Sequence, residues 1–415
     1  MQSRFKIDKP LVLLYILLIG VGWINIYSAS WVENTSDIFD FSQAYGKQLL
    51  WIALALLLIL FLFFLDIKVF ERFGSLFYLI LLAGLIGLFL FGNTVSGATS
   101  WYHIGGISIQ PSEFAKTATA LALAKFLTDI QTQIRLVTHQ LKALLIIAIP
   151  ALLILPQPDP GTALVFLAFL IPLYREGLPL GYLMVGIVAA ILFISTLIWG
   201  YLWVGVSLIG VTIVFLILTR QRRIKRPAVV LALLVCLLFS YGANYIFNNV
   251  FEQRHRDRFN IVLGLAEDTQ GIGYNTNQST IAIGSGSWFG KGWTKGTQTK
   301  GRFVPEQHTD YIFSTIGEEW GFIGSLFVVL LFVALCVRIV QLAERQKSNF
   351  VRIYGYSVAA IICFHFFVNI GMVLGLLPTI GIPLPFISYG GSSLWGFSLL
   401  LFIFIRMDAS NTYYH

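Results

Sequence analysis

The sequence predicts an all-α polytopic membrane protein, and three observations carry that prediction. Hydrophobic residues make up 57% of the 415 positions and charged residues only 12%, whereas a soluble domain carries roughly 25% charged residues. The mean hydropathy of +0.79 comes from long continuous apolar runs, where the strands of a membrane β-barrel would alternate. Lysine and arginine fall into alternate short loops, as they do in proteins that cross a bilayer repeatedly. Helices follow because lipid offers the backbone no hydrogen-bond partners.

A span needs about 20 mostly apolar residues, and about twelve such stretches are expected. They lie near 11–30, 47–65, 76–92, 112–128, 142–156, 162–175, 181–199, 202–219, 227–248, 310–338, 352–377 and 390–407. Only Gly200, Tyr201 and Leu202 part the seventh from the eighth, so these form either a tight hairpin or one long irregular element.

Orientation follows from the basic residues. Arg4, Lys6 and Lys9, then Lys68 and Arg72, then Arg135 and Lys142 fall on one side if the helices alternate. Arg220, Arg222, Arg223, Lys225 and Arg226 join them, as do Arg345, Lys347 and Arg352. Loops 31–46, 93–111 and 156–161 hold no Lys or Arg. Both termini are therefore expected in the cytoplasm, with the apolar run after Lys9 retained as a first membrane helix. The net charge of +8 is explained by these loops and gives no reason to expect a nucleic-acid partner. Cys236, Cys336 and Cys363 lie inside apolar runs and read as small buried hydrophobes.

One connection stands apart. Residues 249–309 form a long outer loop carrying Arg254, Arg256, Arg258, Lys291, Lys295, Lys300 and Arg302. Its Ile, Trp and Phe content predicts packed structure within a single membrane domain covering residues 1–415.

Four clusters carry chemistry. Glu113 and Lys116 stand three apart and share a helix face, either as a locking ion pair or as part of a functional site. Asp159 begins a helix, where it either answers the helix dipole or lines an outward cavity. The glycines from Gly284 to Gly301, with Lys291, Lys295, Lys300 and Arg302, fit an anion site or a flexible basic loop. Glu306, His308 and Asp310 meet at the head of an apolar run, where Thr309 or Asp310 also serves as a helix cap. A carboxylate beside apolar surface there has a raised proton affinity suited to general base chemistry. Finally, "GLLPTIGIPLPFISYGGSS" breaks the helical pattern at membrane depth, the mark of a re-entrant wall of a binding site.

The motifs "QPSEFAK", "QPDPGTA", "GYNTNQSTIAIGSGSWFGKGW", "PEQHTDYIF", "GEEWGFIG" and "NIGMVLGLLPTIGIPLPFISYGG" follow one another along nearly the whole chain. In order and spacing they resemble the SEDS family of RodA/FtsW/SpoVE-like cell-wall proteins, and "GKGW" and "GTQ" are closer to its rod-shape branch than to its division branch. The family's usual G-S-G-G is "GSGS" here, with Ser287 in place of Gly, and Lys47 stands where relatives often show Arg. The resemblance implies a SEDS-type bundle of ten core helices, with an apparent extra pair within 181–248. It implies a peptidoglycan glycosyltransferase of the bacterial cytoplasmic (inner) membrane, its site facing the periplasm. Such an enzyme polymerises lipid II, releases undecaprenyl pyrophosphate and works with a class B penicillin-binding protein in elongation. It implies Asp310 as the catalytic residue, acting as general base or through a divalent cation, Mg or Mn. Substrate contacts are expected from Glu113, Lys116, Asp159, Gln278, Ser279, Lys291, Glu306, His308, Thr309 and Ser388. The same polar cavity would also suit a lipid II flippase, or a non-catalytic scaffold of the synthesis complex.

Overall fold

The computed structural model describes residues 7–31, 38–95, 97–219, 226–266, 271 and 273–411. Arg4, Lys6, Arg220, Arg222, Arg223 and Lys225, used above for orientation, lie outside them. Among the described residues, nine helices are long and apolar enough to cross a membrane. The chain divides into two compact units, residues up to Leu178 with those from Asn275, and residues 179–274.

In the first unit, α1 (Lys9–Ser30) starts at Asp8, whose carboxylate accepts the Leu11 amide at 3.0 Å and pairs with Arg338 at 2.6 Å. Pro10 suits the first turn, where no amide partner is needed. Helices α2 (Ala44–Phe64) and α3 (Ile67–Phe91) follow, α3 capped by Asp66. The loop after α3 is a small antiparallel sheet, β1 (Asn93–Val95), β2 (Ala98–Ile104) and β3 (Ile107–Ile109), in the order β1-β2-β3. Ile104 pairs Ile107, leaving Gly105 and Gly106 as a two-residue turn with φ of 57° and 84°. That hairpin geometry requires positive φ at both positions. An all-helical expectation missed this sheet.

Helix α4 (Pro111–Thr128) carries Glu113, Lys116 and Lys125, yet buries all but a few of its residues. It packs on α3, on α5 (Val137–Ile154), on α14 (Asn349–Val373) and on α15 (Gly391–Asn411). Helices α14 and α15 are the most enclosed apolar spans, 67% and 78% buried. The core therefore lies among α4, α14 and α15. Between α5 and the second unit, α6 (Pro160–Val165), a tight 3-10 turn (Phe166–Phe169) and α7 (Leu170–Arg175) make one short interrupted helix.

In the second unit, the stretches 181–199 and 202–219 form one 38-residue element, α8 (Gly181–Leu218), bent at Gly200 with φ 78°. Of the two arrangements the sequence left open, the structure takes the long irregular one. Helix α9 (Arg226–Asn249) runs antiparallel to it: the rings of Phe193 and Phe247 meet at 6.2 Å, and further along α8 Gly205 faces Leu237, nearer the start of α9. Helix α10 (Gln253–Val262) closes this unit.

The long loop is structured where it is described: α11 (Tyr274–Ser285) and α12 (Thr297–Lys300) precede α13 (Ile312–Glu344). Helix α13 is broken at Gly321, with φ 65° and ψ −160°. A Cβ there would meet the Gly290 amide nitrogen at 2.3 Å, so this close crossing admits only glycine. Residues 374–390, between α14 and α15, are non-helical, as the sequence predicts; Leu384–Ser388 are buried, and Leu374, Leu376, Leu377 and Gly381 are exposed.

Candidate functional site

Four consecutive residues of that wall gather the polar groups. Gly161, in the first turn of α6, presses on the Ile380 carbonyl, so that a Cβ would sit 2.2 Å from its oxygen. Gly381 has φ 72°, and a Cβ on it would lie 3.5 Å from Asp310 Oδ2. The Ile382 carbonyl accepts from Asn369 Nδ2 at 2.7 Å, and the same amide donates to the Asp310 carbonyl at 2.8 Å. The Pro383 carbonyl lies 3.3 Å from His365 Nδ1. The stretch Ile380–Pro383 thus touches the start of α6, the head of α13 and the polar face of α14.

Lys116 sits behind this wall with only 1% of its surface exposed. Its ammonium donates to Glu113 Oε2 at 2.8 Å and lies 3.0 Å from His365 Nε2. The Phe397 ring lies 4.6 Å from the ammonium, within range of a cation–π attraction. An ammonium can only donate, so His365 accepts at Nε2, carries its proton on Nδ1 and points that N–H at Pro383. One tautomer therefore links the ion pair to the wall.

Asp159 caps α6, taking the Thr162 amide at 3.0 Å, the Thr162 hydroxyl at 2.8 Å and Gln110 Nε2 at 3.0 Å. Burial pushes its carboxyl above the usual range, and the Thr162 bonds, the Lys116 charge and Gln110 oppose that rise. Asp159 is thus the helix cap that its position predicts, and the Lys116 charge acts on it.

Asp310 is half-buried at the head of α13, in the turn that joins the long loop to the helix. The turn is tied to the wall on both sides. Ser388 Oγ donates to the Thr309 carbonyl and accepts the Leu384 amide, each at 2.8 Å, and the Tyr389 amide donates to the His308 carbonyl at 2.9 Å. The ring of His308 lies against Tyr389, 5.4 Å between centroids. Burial lowers the proton affinity of His308, Glu306 raises it and Arg302 lowers it. Glu306 is exposed, with φ 55°, and accepts the Thr309 hydroxyl at 3.1 Å.

Of the residues singled out from sequence, Glu113, Lys116, Asp159, His308, Thr309, Asp310 and Ser388 gather along this wall. Ser388 and Thr309 do so through framework bonds. Three lie elsewhere in the network. Ser279 is buried and donates to the Val373 carbonyl at 2.9 Å, and Gln278 is half-buried beside it on α11. Lys291 is committed to Glu318 at 2.9 Å and to Thr297 at 2.7 Å. Glu318 also takes the Gln298 and Thr299 amides and the Thr299 hydroxyl, each at 2.8 Å. Lys291 is thus a loop anchor rather than a free cation. Sequence reasoning passed over His365 and Asn369. Their spacing of four residues puts both on one helix face, and two polar groups on one face within an apolar run are the signal that would have found them.

Comparison with known proteins agrees with this architecture. The family model described as "Cell cycle protein", covering FtsW, RodA and SpoVE, matches residues 9–231 and 227–413. The chain is 33% identical over 411 residues to the peptidoglycan glycosyltransferase RodA of Treponema pallidum, covering 94% of each chain. It is 32% identical over 392 residues to the peptidoglycan glycosyltransferase MrdB of Escherichia coli, covering 94% of this chain and 90% of that one. Among solved structures it is similar to a chain of a peptidoglycan synthase complex, with TM-score 0.73, 26% identity and 98% of both chains covered. It also resembles the rod shape determining protein RodA of Thermus thermophilus, with TM-score 0.63, 25% identity and 98% of both chains covered. The chain belongs to the SEDS family of FtsW, RodA and SpoVE cell cycle proteins.

Proposed function

We propose that this multi-pass membrane protein is a peptidoglycan glycosyltransferase that polymerises lipid II into glycan strands for cell elongation. In this reading it works in the bacterial cytoplasmic membrane with a class B penicillin-binding protein, its site open to the periplasm. The observation that carries the reading is the Ile380–Pro383 wall, which brings the half-buried Asp310 carboxylate beside a polar group of Asp159, Lys116 and His365.

The chemistry joins two sugars. An acceptor hydroxyl attacks the anomeric carbon of the donor, the new glycosidic bond forms, and the bond to undecaprenyl pyrophosphate breaks. Asp310 takes the hydroxyl proton as general base, a contribution of about 10²–10⁴-fold. The leaving diphosphate needs positive charge. Lys116 is neutralised by Glu113 and Lys291 by Glu318, so the exposed Arg302, whose charge acts on His308, is the cation best placed for it.

Among the described residues no group of three His, Cys, Asp or Glu could hold a metal ion. Magnesium is commonly held by one or two carboxylates together with substrate phosphates. Asp310 fits such an ion only in company with the lipid diphosphate, where it would supply further charge for the leaving group.

The test is glycan-strand formation by purified protein in detergent, with its partner, comparing wild type and Asp310→Asn. Loss of polymer by a variant that folds and co-purifies with the partner is the expected result. Normal polymer would overturn the assignment. Detergent abolishes sidedness, so polymer made there also separates an enzyme from a flippase, and intact co-purification separates it from a scaffold.

A further inference from the structure

The unit formed by residues 179–274 has a polar cavity of its own. Helices α8 and α9 leave nearly all their apolar surface uncovered, with 11% and 6% of their spans buried. Such faces belong against lipid. The exception is a cavity of about 250 Å³ where α8 bends and α9 runs into α10. Its lining includes Thr196, Asn244, Asn248, Gln253, Arg256 and Asn260. That is space well beyond one water's roughly 30 Å³ share.

Two observations say what it takes. The first is the state of Arg256. Its Nη1 donates to the Asn248 carbonyl at 2.8 Å and its Nη2 to Gln253 Oε1 at 2.6 Å, both neutral acceptors. Its Nε is buried with no hydrogen-bond partner. The neighbouring Asp257 accepts from Gln253 at 2.7 Å, and Arg256 makes no ion pair among the described residues. Arg256 is half-buried and faces no counter-charge there, and its planar fork matches phosphate oxygens. The second observation is depth. Trp199, Tyr201, Trp203, Tyr241 and Tyr245 are exposed around the bend and the facing turns of α9. Exposed Trp and Tyr on an apolar helix pair mark the headgroup level of a bilayer.

We propose that this cavity binds the phosphodiester headgroup of an anionic membrane lipid, whose acyl chains lie along the uncovered faces of α8 and α9. Arg256 supplies the charge, Asn248 and Gln253 hold it in place, and the Asn244 and Asn260 amides donate to headgroup oxygens. The inference does not depend on the polymerase reading, because no residue of the cavity belongs to the candidate active site.

The experiment is native mass spectrometry of the full-length protein released from nanodiscs of phosphatidylglycerol, phosphatidylcholine or their mixture. The wild type should retain one phosphatidylglycerol in preference to phosphatidylcholine by roughly tenfold, the scale of a charge-assisted hydrogen bond. Arg256→Gln should lose the preference, Asn260→Ala weaken it, and Arg256→Lys keep part of it. Equal retention by wild type and all three variants would overturn the proposal. So would displacement by excess inorganic phosphate without any preference among lipids, which would assign the cavity to a free anion. Should Arg256→Gln fail to fold, Arg256→Lys and Asn260→Ala carry the comparison.

Discussion

Lys116 and Glu113 form an ion pair of 2.8 Å whose side chains are 2% and 3% exposed. Removing one member of a buried pair strands the other, at about 3–5 kcal/mol, whereas replacing both with apolar residues is often neutral. Glu113→Gln is therefore expected to lower stability by about that amount. The double variant Glu113→Leu/Lys116→Met should recover most of the stability, and thermal unfolding in detergent measures both. If the pair serves only to lock helices, the double variant also recovers polymerisation. A stable double variant that makes no polymer is expected instead, because His365 would lose the Lys116 donor at Nε2 that fixes its Nδ1–H tautomer toward the wall.

Glu318 holds the loop, accepting from Lys291, Gln298 and Thr299 within 2.9 Å. Hydrogen bonds to a charged group contribute roughly 1.5–3 kcal/mol each. Glu318→Gln keeps the shape but loses the charge and sets an amide N–H₂ against donors. Amide exchange across residues 291–300 is expected to rise at least tenfold while α14 stays protected. Unchanged exchange in the loop would show that its order comes from elsewhere.

The spans were legible because apolar runs are local. The centre of the bundle was not. Helix α4 carries three charges near or within its span, the feature that argues against a buried helix, yet its surface is nearly all covered. Only the pairing of Glu113 with Lys116 reconciles the two. Asp159 and Asp310 stood out as acids at helix starts, but Ile380 packs on Gly161 beside the one and Gly381 lies against the other, and no local pattern encodes that. The 93–109 sheet was legible in its Gly105–Gly106 turn and was hidden by a reading tuned to helices. Lys291 was legible by residue type alone: its partner Glu318 lies beside the Gly290–Gly321 crossing, which sequence does not display.

His308 makes the site pH-dependent. Burial, the largest influence, holds its proton affinity below the ordinary value of 6.5, with Arg302 acting the same way and Glu306 against them. A folded-state pKa below the unfolded one means that protons bind the unfolded chain first. The neutral His308 packing against Tyr389 is therefore fully present above pH 6.5 and is lost as pH falls through the folded value. Wild-type polymerisation and stability should decline on that acid side. His308→Gln, which cannot charge, should flatten the decline in stability. A profile of identical shape for both would assign the acid limb to another group.

Gly381 tests the wall itself. Its φ of 72° is left-handed, and a Cβ would stand 3.5 Å from Asp310 Oδ2, an ordinary contact. Gly381→Ala thus meets no clash and should cost about 1–2 kcal/mol from backbone strain alone, with much of the polymerase activity kept. Gly381→Val adds branched methyls on the side of the carboxylate. They should displace it and lower kcat toward the level of Asp310→Asn, by about 10²-fold or more, while unfolding shifts further than in the alanine variant, because a β-branched residue at positive φ is more strained. The comparison of kcat with thermal unfolding across the two substitutions separates strain from displacement. Wild-type turnover by a folded Gly381→Val variant would place the reacting carboxylate away from this wall, because a valine there leaves no room for both.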